Sequence, residues 1–227
     1  MKIFHGSQKI IEKPSFGFGK AGNDFGRGFY CTESEDLAKE WSVQPTKDGF
    51  ANAYRINVRG LNVLNLNTNE FTVLNWMAIL VTYRQFKSKT PIAGAAINYL
   101  KSRFAVNVDA YDLVIGYRAD DSYFDFAEAF LNNTISVEQL ASALRLGRLG
   151  EQVVVKSPAA FNRLRFDGYT QADHRIYYPR RKSRNDDAEC KYVRLQEESD
   201  FRGLYLNTII SERIGNGDAR IPRNAPV

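Results

Sequence analysis

A histidine followed by glycine, a loop crowded with glycines and two aromatic rings are the residues of this chain best equipped for chemistry. They fall near its start as His5-Gly6-Ser7, then Asn23-Asp24-Phe25-Gly26-Arg27-Gly28-Phe29-Tyr30-Cys31-Thr32, then Trp41. An imidazole donates and accepts hydrogen bonds, glycine lets backbone approach a ligand closely, and aromatic rings stack. Taken singly, each residue also has a plain structural reading: a surface histidine, a turn, a core ring. Their order and spacing argue for a site.

The elements that must position them are legible. Met1–Phe4, of mixed polarity and stopped by Gly6-Ser7, predicts a strand with His5 at its carboxyl end. Gly17, Gly19, Gly22, Gly26 and Gly28 give too much backbone freedom for a helix and predict an irregular loop. Ser34 is placed to cap a helix over Ser34–Val43 that carries Trp41, with Glu35 and Asp36 in its first turn, where the helix dipole favours negative charge.

Further on, Ala53–Val58 alternates through Tyr54, Ile56 and Val58, and Leu61–Leu66 alternates again; both read as strands, neighbours around Arg59-Gly60. Phe71–Phe86 has Leu74, Met77, Ala78 and Val81 at helical spacing and reads as a helix stopped near Pro91, with a second over Ala93–Phe104. Tyr111–Tyr117 reads as a buried strand. Asp120-Asp121 behind it are candidates for gripping a substrate or metal, although capping the helix at Tyr123–Leu131 is the commoner role. Ser136–Leu146 reads as a helix, Glu151–Ser157 as a strand, Pro158–Leu164 as a helix capped by Ser157, and Phe166-Asp167-Gly168-Tyr169 as a turn.

The ordered set resembles the diphtheria-toxin and poly(ADP-ribose) polymerase branch of the ADP-ribosyltransferases, which carries a His-Tyr-Glu signature. It comprises His5-Gly6-Ser7, Gly28-Phe29-Tyr30-Cys31-Thr32-Glu33, Trp41, Tyr111-Asp112-Leu113-Val114-Ile115-Gly116 and Glu151-Gln152-Val153-Val154-Val155, most of residues 1–166. Within that clan it looks closest to an uncharacterised bacterial family often encoded in toxin–antitoxin loci. The implied fold is α+β, an ADP-ribosyltransferase-like split β-sandwich with helices packed around an NAD cleft. Residues 1–170 would form the catalytic core, with a helical insertion at about 70–105, and 171–227 a basic C-terminal extension on the same domain.

The implied co-substrate is NAD+, with no metal. Breaking its nicotinamide–ribose bond demands a seat for a flat aromatic amide, an oriented ribose and stabilised positive charge. The resemblance assigns NAD binding to His5, Gly6, Ser7, Asp24, Arg27, Phe29, Tyr30, Thr32 and Trp41. Gly6 would meet the carboxamide through its backbone, His5 a ribose hydroxyl, Tyr30 and Trp41 the two faces of the ring, and Asp24 and Arg27 the adenosine and pyrophosphate. His5, Tyr30 and Gln152 would be catalytic. The chain departs at the third position, where Gln152 replaces glutamate and Glu151 sits one residue earlier. Strand alternation lets only one of these two face the pocket. The resemblance favours Gln152; a slip or bulge would substitute Glu151. Without that carboxylate, single transfer is expected rather than polymerisation.

The implied function is mono-ADP-ribosylation of an intracellular macromolecule by a toxin or phage-defence effector restrained by an antitoxin protein. The alternatives are an NAD glycohydrolase and an inactive fold that senses NAD or ADP-ribose. Between Lys156 and Arg184 lie eight basic residues against two acidic ones, a larger excess than the +5 of the whole 227-residue chain. Tyr177 beside Arg180, Arg181 and Lys182 interleaves a ring with charge, which suits RNA or single-stranded DNA slightly better than protein as acceptor. Two distant cysteines, Cys31 and Cys190, fit a reducing cytoplasm, and no apolar run is long enough for a signal peptide or a membrane span.

Overall fold

The computed structural model describes residues 1–86, 90–119, 121–146, 151–198 and 200–224. Asp120, and the side chain of Asp121, lie outside the described residues. In chain order the elements are β1 (Lys2–Ser7), β2 (Phe29–Cys31), α1 (Glu35–Ser42), β3 (Gly49–Ile56), β4 (Val63–Asn65), α2 (Val73–Tyr83), α3 (Pro91–Arg103), β5 (Leu113–Tyr117), α4 (Asp121–Leu131), α5 (Val137–Leu146), β6 (Glu151–Val155), α6 (Pro158–Phe161), β7 (Leu164–Ala172), α7 (His174–Glu197) and α8 (Leu206–Ser211). They form two compact units interleaved in sequence: Met1–Asn65, Val108–Arg118 and Leu149–Asp186 in the first, and Leu66–Asn107, Ala119–Arg148 and Asp187–Val227 in the second. Residue 170, the expected end of the core, lies inside β7.

The first unit holds two open sheets, one in the order β1-β3-β7 and one in the order β2-β6-β5-β4. All pairs are antiparallel except β4 with β5. Alternate residues of both sheets meet in one apolar core of Ile3, Cys31, Tyr54, Ile56, Leu113, Ile115, Val153 and Val155, as the period-two side-chain rule requires. Burial pushes the Cys31 thiol well above its ordinary pKa.

Two expectations are corrected here. β3 and β4 are not neighbours: Gly60, at φ +74°, sends the chain out of one sheet and into the other, where β4 lies parallel to β5. Nor does the chain turn at Phe166–Tyr169, which lies within β7. Gly168 takes φ +100° where the β3–β7 register shifts between Asn52 and Tyr54, a bulge rather than a turn.

The second unit is helical. α2 has nine buried residues, Trp76 and Met77 among them, and starts from a Thr72–Asn75 capping box. Pro91 does not stop that helix; it opens α3, behind the Thr90 cap. Ser136 accepts from the Gln139 N–H and caps α5, as expected. Among the described residues no helix is long and apolar enough to cross a membrane.

Candidate functional site at the split between two sheets

The two sheets of the first unit touch edge to edge at one residue pair. Phe4 N–H donates to the Thr32 carbonyl at 2.7 Å and Thr32 N–H to the Phe4 carbonyl at 2.9 Å. Beyond this pair the edges of β1 and β2 part. Odd-numbered residues of β1 bond β3, with Met1 opposite Ile56 and His5 opposite Asn52, so even-numbered residues turn their backbone groups outward. Gly6 is the next outward residue after Phe4, and its N–H and C=O have no partner among the described residues. A Cβ at Gly6 would collide with the Ala38 carbonyl of α1 and come within 3.0 Å of Trp41 Cβ. Glycine is therefore required for α1 to lie against this edge, and that packing brings Trp41 to the open backbone. The α1 helix that carries Trp41 starts at the expected cap, the Ser34 hydroxyl accepting from Leu37 N–H at 3.3 Å.

Side chains opposite one another in a ladder share a face, so Gly6, Thr32, Tyr30, Val154 and Gln152 lie on one side of the joined strands. Gln152 is 3% exposed and donates from Nε2 to Asp24 Oδ2 at 2.9 Å and to the Tyr117 carbonyl at 3.3 Å. Its Oε1 has no partner among the described residues. Glu151 is half-buried opposite Tyr117 and shares the other face with Val153. Asp24, itself 6% exposed, thus sets a buried carboxylate against Gln152.

Besides Gln152, two side chains pin the glycine-rich loop to this face. The Tyr30 hydroxyl donates to the Gly26 carbonyl at 2.6 Å and accepts from Phe25 N–H at 3.0 Å. The Lys156 side chain, 4% exposed, gives its ammonium to the Phe25 and Arg27 carbonyls and to Asp109 at 2.9 Å. Lys156 therefore does not belong to a surface basic face. Arg27 is exposed, and Ser7 accepts from Lys9 N–H at 3.1 Å.

His5 turns to the opposite, core-facing side, its ring 4.4 Å from that of Phe29. Its Nδ1 lies 2.7 Å from the Tyr30 carbonyl, which can only accept, so Nδ1 carries the proton and links β1 to β2 across the split. Burial lowers its pKa below the ordinary 6.5, outweighing the carbonyl, and leaves a neutral ring with an Nε2 lone pair.

A family model described as "Protein of unknown function (DUF3990)" matches residues 1–166. The chain belongs to that family. No curated protein and no solved structure matches it. The span shared with the family includes β1, the glycine-rich loop, α1 and β6, whereas α7 lies beyond it.

The basic stretch at 179–184 is helical, part of α7, and docks on α1. Arg184 forks onto Glu40 at 2.8 and 3.0 Å, Arg180 lies 3.9 Å from Asp36, Tyr177 donates to Asp36 at 3.3 Å, and Arg181 reaches the Val43 carbonyl. Lys182 is exposed. The start of α7 gathers Asp48, Asp173 and His174 within 4.8 Å. Asp48 accepts from the His174 N–H and ring and from Gln171, which together hold its carboxyl at about 2. That satisfies the helix start without an ion.

Arg118, just after β5, stacks its guanidinium 4.3 Å from the Trp41 ring centroid. Nothing in its sequence neighbourhood singles it out, because its partner is brought by another element. The Asp24–Gln152 contact is equally silent, its ends 128 positions apart in sequence.

Proposed function

We propose that this chain is an NAD-dependent mono-ADP-ribosyltransferase with an ADP-ribosyltransferase-like split sandwich, acting as a toxin or phage-defence effector on an intracellular macromolecule. The observation that carries the reading is the open backbone of Gly6, beside Trp41, where two sheets part. A carboxamide needs one donor and one acceptor side by side, and the outward N–H and C=O of Gly6 are such a pair. Trp41 already holds one planar cation, Arg118, at stacking distance, so its indole suits the flat, cationic nicotinamide ring.

NAD supplies the bond to be broken, and the chain's residues orient it and answer the charge. Both Gln152 amide hydrogens are committed inward, which leaves Oε1 as an acceptor for a ribose hydroxyl. In this reading the carboxylate missing at that position is supplied at one remove by Asp24, whose burial would make its charge count for more than in water. His5 serves from the core side, away from the Gly6 and Gln152 face: its Nδ1–H holds the β1 and β2 edges in register. The pinning of Gln152 to a loop carboxylate also supports a second reading, a fold that binds NAD without cleaving it.

Adenine-labelled NAD separates these. Incubated with separate pools of RNA, single-stranded DNA and protein, a transferase leaves label on one pool, a glycohydrolase releases free ADP-ribose, and a sensor returns intact NAD. Asp24→Asn should cut turnover about 100-fold if its charge serves the cationic transition state. Unchanged turnover in that variant would remove Asp24 from the mechanism.

A further inference from the structure

Arg175, Arg180 and Arg184 of α7 meet carboxylates, but a second basic surface in the first unit is answered only in part. Lys2, Arg55, Arg59, Arg163 and Arg165 line one cleft of about 790 Å³, and no acidic residue lines it. Lys2 and Arg55 share Asp167, at 3.8 and 3.1 Å. Arg163 commits NH1 to the Asn57 and Arg59 carbonyls, and Arg165 commits NH1 to those of Asn162 and Leu164 at 3.0 and 3.1 Å. Arg59, Arg163 and Arg165 have no carboxylate within ion-pair distance among the described residues. Asp112, whose charge acts on Arg163, is already bonded to Ser157 and to Asn62 N–H. Carbonyl-anchored guanidinium groups keep their remaining N–H groups for a ligand, in the fork geometry that fits phosphate.

Arg165 also lines a second cleft, of about 540 Å³, whose walls include Phe16, Tyr54 and Phe161. Phe16 is 56% exposed and stands edge-on to Phe161 at 5.5 Å. Glu12 and Lys13 offset one another at its rim. A row of unanswered arginines beside an aromatic wall offers phosphate contacts and a stacking surface together, which an acidic peptide would use only by half.

We infer that these two clefts bind single-stranded nucleic acid, phosphates in the cationic cleft and a base against Phe16. Its role as the acceptor seat rests on the transferase reading; the binding itself does not. The test is fluorescence anisotropy of a labelled oligouridylate with the full chain across a salt series, without NAD. The Arg59→Ala/Arg165→Ala variant should bind at least about tenfold more weakly at low salt. Its log affinity should depend on log salt with a slope smaller by about 1.4, because two phosphates of a single strand then go unneutralised. Phe16→Ala should weaken binding about fivefold and leave the slope alone. Arg180→Ala/Lys182→Ala should stay within about twofold of wild type, since those side chains belong to the α1–α7 contact or the open surface.

Arg59→Glu, a single change at an exposed side chain with no side-chain partner among the described residues, repeats the test should the double variant fold poorly. Wild-type affinity in both cleft variants, loss in the α7 variant instead, or preference for polyglutamate over oligouridylate would overturn the inference. Oligouridylate binding that needs the cleft, with no label transferred from NAD, would keep the cleft and reject the transferase. Label on nucleic acid with an unchanged acceptor KM in the cleft variants would do the reverse.

Discussion

In the helical unit, buried polar side chains finish helices. Asn75 accepts from Thr72 N–H and donates to the Phe104 carbonyl, and Gln139 accepts from Ser136 N–H and donates to the Leu195 and Glu198 carbonyls. In the sheet unit the corresponding groups, Asp24, Gln152 and Lys156, hold a segment without regular structure against a strand, next to an edge whose backbone at Gly6 is left open. Helix ends present donors and acceptors that must be answered wherever they are buried, so a network there serves stability. A loop has no such internal demand. Fixing one beside an unpaired edge costs ordering entropy and yields shape, which is what a binding site needs.

The contrast predicts that damage to the two units separates stability from ligand binding. The largest effect should come from Trp76→Ala, which empties a fully buried site in α2: about 3–5 kcal/mol lost in urea unfolding, with NAD affinity per folded molecule unchanged. A change in affinity at constant folded fraction would break the comparison. Lys156→Met should cost less, about 1–3 kcal/mol, but should speed proteolysis within the glycine-rich loop and weaken NAD binding, because the Phe25 and Arg27 carbonyls lose their clamp. If the loop stays protected and binding is unaltered, the loop does not shape the site.

The smallest effect concerns pH. His5 titrates below 6.5 when folded, so the unfolded chain binds more protons in that window. Its contribution to stability is complete above about 6.5 and is lost as pH falls through the folded value. Asp48, held at about 2 by His174, contributes above the ordinary 3.8 and loses its share only below that, so the two windows are distinct. His5→Gln should flatten the stability profile just below pH 6.5 and leave the acid limb intact. An unchanged profile would mean the ring is solvated.

Local signals wrote much of this in the sequence. The Ser34, Ser136 and Ser157 caps, the loop before Phe29 and the Leu113–Tyr117 and Glu151–Val155 strands follow from side-chain chemistry within a few residues. What local pattern could not carry was pairing at a distance. The separation of β3 from β4 and the bulge at Gly168 depend on which strand lies alongside, not on composition. Nothing local marks the basic run around Pro179 as a helix, because proline removes a helical donor and no apolar stripe is present. It is helical because Asp48 and Asp173 receive its first N–H groups and Glu40 grips Arg184. His5, Gly6, Tyr30, Trp41 and Gln152 were legible as candidates, whereas Arg118 and the Asp24–Gln152 contact become visible only once the chain is folded.

The chain has two tryptophans, and Trp76 is buried in the helical unit. Trp76→Phe would leave Trp41 as the sole indole, beside the open edge of β1. Titrating that variant with NAD while following its fluorescence tests the central claim most directly. The account predicts a saturable change that nicotinamide competes away and that Lys156→Met shifts to higher NAD concentration. Trp41 emission that ignores both ligands up to millimolar concentration, in a protein folded by circular dichroism, would contradict it.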